Sequence, residues 1–168
     1  RPPSPPLFPA TALVQSGHSR DGDGDAVDPA SVAGTTGSSG AFQLVFLAAF
    51  NPGDRVALAS PGYPAYRNIL TALGVQVIEL QTGPETRYQP TPALLDAAEV
   101  EFGALRGLVL ASPANPTGTM LGRDELTHLV SWCGARNVRL LSHEIYHGLP
   151  LGHPADPARP RARAIGRA

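Results

Sequence analysis

The sequence predicts an α/β fold: a mostly parallel sheet with helices on both faces. Two observations carry that expectation. Short aliphatic runs recur along the chain, and each is separated from the next by a segment of helical character. Strand, helix and strand in that order make a crossover unit, and repeated crossovers build a parallel sheet that must be covered on both sides. A third observation sets the scale. With 168 residues, 42% of them hydrophobic and 16% charged, the chain can bury the core of one domain, or of part of one.

Residues 1–24, RPPSPPLFPATALVQSGHSRDGDG, are dominated by Pro, Gly, Ser and Asp without a sustained period, and read as a disordered or foreign arm. The texture changes from Val27. SVAGTT reads as a strand, SSGAFQLVFLAAF as a helix apolar on nearly every side and therefore buried, and NPGD as a turn. RVALAS is the second strand, followed by a helix over Pro64 to Leu73 with proline in its first turn, where the missing N–H costs little. VQVIEL is the third strand and GPETRYQP a polar loop. Thr91 caps a helix running to about Val100. GLVLAS is the fourth strand. A helix over Arg123 to Cys133 follows, with Asp124 and Glu125 in its favourable first turn, and VRLLS is the fifth strand. The domain spans residues 25–153, and residues 154–168 form an irregular Arg-rich tail.

Composition removes several function classes. The net charge of −1 gives no electrostatic footprint for nucleic acid or an anionic membrane, and small molecules or other proteins fit better as partners. The single Cys133 forms no internal disulfide, which fits a reducing, cytoplasmic setting. No apolar run is long enough to span a bilayer. All 13 basic residues are arginine, so the chain holds no lysine.

In open α/β sheets ligands bind beyond the carboxyl ends of the strands. After the first strand comes TGSSGAF, where Gly37 and Gly40 allow a tight turn and Ser38 and Ser39 place N–H groups and hydroxyls at a helix start. That arrangement suits an anion, although a serine-rich turn that merely caps a helix is commoner. After the second comes SPGYPAY, with Tyr63 on a stiff turn; its ring can stack on a flat ligand or simply plug the sheet end. After the fourth comes SPANPTG, in which Asn115 lies between prolines, suited to a fixed amide or to an Asx-turn. After the fifth comes SHEIYHG, with Tyr146 three residues beyond His143.

That last segment also spells the zinc-hydrolase signature His-Glu-x-x-His. In such an enzyme His143, His147 and His153 would be ligands and Glu144 the general base. The signature requires a helix, so that two histidines four apart share a face. The apolar lead-in NVRLLS and the following Gly148, Pro150 and Gly152 indicate a strand and then a loop. Proline at 150 also replaces the glycine that would turn the chain back toward His153.

Taken together, TGSSG, PGYP, NPTG and HEIYHG resemble the class I/II aminotransferases, the fold type I enzymes dependent on pyridoxal phosphate. The resemblance covers roughly Val27 to Gly152. It implies a partial large domain of that transferase fold. It also implies that Ser38, Ser39 and Gly40 hold the cofactor phosphate, that Tyr63 stacks on the pyridine ring, and that Asn115 and Tyr146 bond its phenolic oxygen. The complete enzyme would move an amino group from an amino acid to a 2-oxo acid, and a homodimer is expected.

The sequence departs from the family pattern twice. Where the family has Asp against the pyridine nitrogen, this chain has His143, which in its neutral form carries no negative charge. The family's Schiff-base lysine has no counterpart, so no catalytic residue is assigned, and the chain is expected to be a fragment that is inactive alone. The competing expectations are the zinc hydrolase and a non-catalytic α/β remnant.

Overall fold

The computed structural model describes residues 12–14 and 35–144. Five strands form one all-parallel sheet: β1 (Ala12–Val14), β2 (Arg55–Ser60), β3 (Gln76–Gln81), β4 (Gly107–Ala111) and β5 (Arg139–His143), in the order β1-β5-β4-β2-β3. Among the described residues the helices are α1 (Ser38–Ala49), α2 (Pro64–Ala72), α3 (Pro92–Phe102) and α4 (Arg123–Arg136), with a 3-10 turn at Pro84–Thr86.

The centre of the sheet is covered on both faces, whereas the edge strand β3 exposes Gln76, Glu79 and Gln81. Successive strand side chains point to opposite faces. Ala57, Ile78, Leu80, Leu108, Leu110 and Leu140 meet Leu95 of α3 and Leu129, Trp132 and Cys133 of α4. Val56, Leu58, Val109 and Leu141 meet Phe42 and Phe46 of α1 and Tyr66 and Leu70 of α2 on the other side. This two-sided burial is why the inner strands read as nearly continuous aliphatic runs instead of alternating ones.

Local sequence fixes the ends of the elements. The Thr91 hydroxyl accepts from the Leu94 N–H at 3.3 Å, as an N-cap does, with Pro92 next. Asn137 closes α4 in the left-handed conformation at φ 55°. The two helices on that face are also tied side to side. The Trp132 indole donates to Asp96 at 2.8 Å, and Arg136 pairs with the same carboxylate while stacking over the indole.

Three expectations need correction. Thr35 and Thr36, the end of the segment read as the first strand, lie outside any strand, and residues 31–34 lie outside the described residues. The Thr35 hydroxyl instead donates to the Gly37 carbonyl at 2.8 Å, which shapes the turn into α1. The fifth strand is β1, inside the stretch read as an arm, where three apolar residues are too few to show a period. Helix α1 is not buried all round. Phe42 and Phe46, one turn apart, take the face toward the sheet, while Leu44 and Leu47 are 57% and 62% exposed. A last difference is one of boundary: β5 runs through His143 instead of ending at Ser142.

The centre of the sheet leaves no room at Gly107. A Cβ built there falls 2.4 Å from the Phe50 ring and 3.3 Å from Val56 Cγ2. Gly107→Ala is therefore expected to destabilise the fold by about 1–3 kcal/mol through overpacking. A urea midpoint within error of the parent's would show that Phe50 moves aside freely.

Candidate functional site

The carboxyl ends of β2 and β4 open onto a narrow cleft with room for about 20 Å³. Tyr63 and Asn115, two of the residues singled out from sequence, both line it, together with Tyr66, Gln89, Val109 and Ala111. Each is brought there by a short connection. Tyr63 follows β2 across Pro61 and Gly62 and precedes Pro64 at the first position of α2. Gly62 has no substitute, because a Cβ at that position would stand 2.4 Å from the Ala59 carbonyl oxygen. The half-buried Tyr63 ring packs edge-on against Tyr66, with centroids 5.4 Å apart.

Asn115 rides on the loop after β4, which closes on itself. The Ala114 N–H donates to Thr119 O at 2.9 Å, Gly118 N–H to Ala114 O at 2.7 Å, and Leu121 N–H to the Ser112 hydroxyl at 3.0 Å. Gln89 clamps the loop from outside. Its side chain is 2% exposed, and its amide donates to Thr119 O at 3.0 Å and lies 3.5 Å from Ala111 O. The segment carrying Gln89 is itself anchored, since Arg87 pairs with Glu125 at the start of α4. That ion pair, with the Gly122 N–H beside it, holds the Glu125 carboxyl below its ordinary range.

Ser38, Ser39 and Gly40 stand at the start of α1 and do not line the cleft. Gly37 precedes them at φ 99°, and no side chain caps the helix. The first N–H groups of α1 are thus available to an anion, with the helix dipole in the favourable sense. A path of aromatic rings connects this turn to the cleft. Phe42 of α1 meets Tyr66 edge-on at 5.0 Å, and Tyr66 in turn meets Tyr63.

His143 is the last residue of β5, in register with Ala111 of β4, and its ring lies edge-on to Phe42 and Tyr66. The Tyr66 hydroxyl is 2.5 Å from its Nδ1, while Nε2 is buried with no hydrogen-bond partner among the described residues. Burial disfavours the imidazolium and pulls the pKa of His143 below its ordinary value. Glu144 is held on the opposite side of the chain, where its carboxylate accepts from the Ser142 hydroxyl at 3.1 Å.

This geometry contradicts the zinc reading. A helical His-Glu-x-x-His face cannot include a residue that ends a parallel strand with its ring packed on phenylalanine and tyrosine. Among the described residues no group of three His, Cys, Asp or Glu side chains is placed to hold a metal ion. Tyr146, His147 and His153 lie outside the described residues. Cys133 is no nucleophile, since burial pushes its thiol up to about 12. Nor is any helix among the described residues long and apolar enough to cross a membrane.

Sequence reasoning missed Tyr66 and Gln89. Tyr66 was visible only as the second tyrosine of PGYPAY, and Gln89 only as a polar residue before a proline. Their roles come from partners 77 and 22 to 30 residues away, and no local pattern reports them.

The family model for aminotransferase class I and II matches residues 12–166. The chain belongs to that family. Its members depend on pyridoxal phosphate. The valine–pyruvate aminotransferase of Mycobacterium tuberculosis (strain ATCC 25618 / H37Rv) is 60% identical over 126 residues, 75% of this chain and 32% of that protein. The 1-aminocyclopropane-1-carboxylate synthase 1 of Prunus mume is 32% identical over 132 residues, 76% of this chain and 27% of that one. Among solved structures, an aminotransferase from Mycobacterium tuberculosis superposes with a TM-score of 0.65 at 58% identity, covering 73% of this chain and 33% of that one. The Thermus thermophilus aspartate aminotransferase with maleate gives 0.57 at 31% identity, covering 62% and 27%. The chain thus spans about a third or less of the length of these family members.

A buried neutral histidine predicts a sign for the pH dependence of stability. Just below its ordinary value of about 6.5 the unfolded chain takes up a proton at this position that the folded chain refuses, so stability falls with falling pH. His143→Gln should remove this component, flattening the urea midpoint against pH by up to about 1.4 kcal/mol per pH unit. Parallel profiles for the two proteins would show that His143 protonates freely in the fold.

Proposed function

We propose that the complete protein transfers an amino group from an amino acid to a 2-oxo acid through pyridoxal phosphate, and that residues 25–153 supply part of its cofactor-binding large domain. One observation carries the reading. Tyr63 and Asn115, far apart in sequence, line the same cleft beyond the carboxyl ends of parallel strands, in a chain of this family. The 60% identity to a valine–pyruvate aminotransferase supports valine and pyruvate as the substrate pair.

Several features support the fit of the cofactor. The uncapped start of α1 gives Ser38, Ser39 and Gly40 as phosphate ligands, through backbone N–H groups and two hydroxyls. Tyr63 covers a face of the ring and excludes water from it. The Asn115 amide would donate to the phenolic oxygen. His143, whose buried Nε2 has no hydrogen-bond partner among the described residues, would be the residue to meet the ring nitrogen. When bound, pyridoxal phosphate supplies an electron sink for the carbon that gives up a proton. The 168 residues contain no lysine, so none of their side chains can form the Schiff base of the family with the cofactor. A homodimer in a cytoplasmic setting completes the reading, and the exposed Leu44 and Leu47 of α1 give it an apolar surface to pair.

Paired titrations with pyridoxal phosphate and inorganic phosphate test the assignment. Replacing Ser38 and Ser39 by alanine should weaken both ligands alike. Tyr63→Ala should weaken only the cofactor, by about 0.5–1.5 kcal/mol for a lost aromatic stack. His143→Asp should tighten only the cofactor, by roughly 1.5–3 kcal/mol for a charge-assisted hydrogen bond. Equal changes for both ligands in the last two variants would remove the ring from this cleft. Borohydride after cofactor incubation should label no internal residue.

A further inference from the structure

His143 poses a hydrogen-bonding problem that its own strand does not solve. It is 6% exposed, and its Nε2 is buried without a partner among the described residues. The narrow gap beside it is walled mostly by apolar side chains, Phe42, Val45, Phe46, Val109 and Leu141, with Ser142 as the one polar neighbour. Buried polar nitrogen is costly to leave unpaired. The other nitrogen, Nδ1, is engaged at 2.5 Å by the Tyr66 hydroxyl, from an element 77 residues away in sequence.

The direction of that bond follows from acid–base chemistry. A phenol, with a pKa near 10, is a far stronger acid than the N–H of a neutral imidazole, and an imidazole nitrogen is a far better base than a phenol oxygen. A short O–H···N contact is the form that matches donor to acceptor strength. Tyr66 therefore donates and Nδ1 accepts. A neutral ring whose Nδ1 is an acceptor carries its single proton on Nε2. Burial keeps the ring neutral, and the nearby carboxylate of Glu144 is turned to the Ser142 side.

We propose that Tyr66 is a positioning residue that fixes His143 as a neutral Nε2–H donor, so that the group received at position 143 is a hydrogen-bond acceptor and not a cation. On the cofactor reading above, on which this consequence rests, the pyridine nitrogen is then bound unprotonated. An acidic residue at 143 would instead hold it as a pyridinium. Tyr66 and Ala111, the neighbours of His143 from α2 and β4, both line the cleft, and through them His143 is coupled to it. The phenol sets the tautomer, and the tautomer sets the charge that the site accepts.

The test is nitrogen NMR on the protein labelled with 15N-histidine, with and without pyridoxal phosphate carrying 15N in its ring. In the free protein His143 should show a protonated Nε2 and an unprotonated Nδ1. The opposite tautomer would overturn the proposal whether or not the cofactor binds. Tyr66→Phe, which keeps the ring packing and removes the hydroxyl, should convert this to a mixture of tautomers. An unchanged Nε2–H population would remove Tyr66 from the role. With labelled cofactor, the ring nitrogen should appear unprotonated in the parent and protonated in His143→Asp; a pyridinium in the parent would overturn the acceptor rule. Complete absence of cofactor binding would defeat the proposed function, and the free-protein tautomer would then decide this inference alone.

Discussion

Everything at the site depends on β4 being buried on both faces and paired on both edges. Gly107 to Ala111 lies between β2 and β5, with Leu108 and Leu110 turned to α3 and α4 and Val109 to α1 and α2. A strand so enclosed cannot slip by one residue without carrying large side chains across the sheet. Its carboxyl end is therefore a fixed point. Ala111 at that end is cleft lining, in-register neighbour of His143 and start of the Asn115 loop at once. The interior glycine is part of the same constraint, since the Phe50 ring occupies the space that a side chain at 107 would need.

From this fixed point the loops are held by polar bonds made in places where water does not compete. Gln89 is nearly fully buried and spends its amide on the Asn115 loop, while the Arg87–Glu125 pair holds the Gln89 segment from the surface. The two contributions are unequal. An exposed ion pair contributes on the order of 0–1 kcal/mol, whereas leaving the partners of a buried amide unsatisfied costs about 1–3 kcal/mol. The loop geometry thus rests on Gln89 and the backbone bonds within the loop, and the ion pair adds alignment.

The same energetics explain what was legible in the sequence. Strands β2, β4 and β5 announced themselves because two-sided burial demands nearly unbroken aliphatic runs, β3 by its alternation at the sheet edge, and prolines and capping residues marked where α2 and α3 begin. Strand β1 was illegible, because Ala12–Val14 is recognisable only through its pairing with β5. The burial of α1 was misread for a related reason. Hydrophobicity on all sides says that a helix can be covered, and not by what, so Leu44 and Leu47 gave no sign of facing outward in this chain. Tyr63 and Asn115 could be picked out because glycine and proline stiffened the turns around them. Tyr66 and Gln89 could not, because each acts through a partner that only the folded topology supplies. The His-Glu-x-x-His string shows the converse. It is local and complete as a pattern, and a strand geometry makes it irrelevant.

The surroundings of His143 suit an uncharged group better than a charged one. Two aromatic edges and a phenol hydroxyl face its ring. A carboxylate there would face desolvation with one neutral donor to offset it, and it would be sustained only while a cation stood opposite. An imidazole avoids that dependence. Burial disfavours its charged form, and the Tyr66 hydroxyl engages one nitrogen. What it gives up is the charge that would hold a proton on an opposing ring nitrogen, which is the property that makes such a ring an electron sink. Position 143 therefore separates two tasks that a carboxylate performs together. Orientation of a flat heteroaromatic ring needs only a hydrogen bond, whereas activation of that ring needs a negative charge, and under the function proposed above His143 would provide the first without the second.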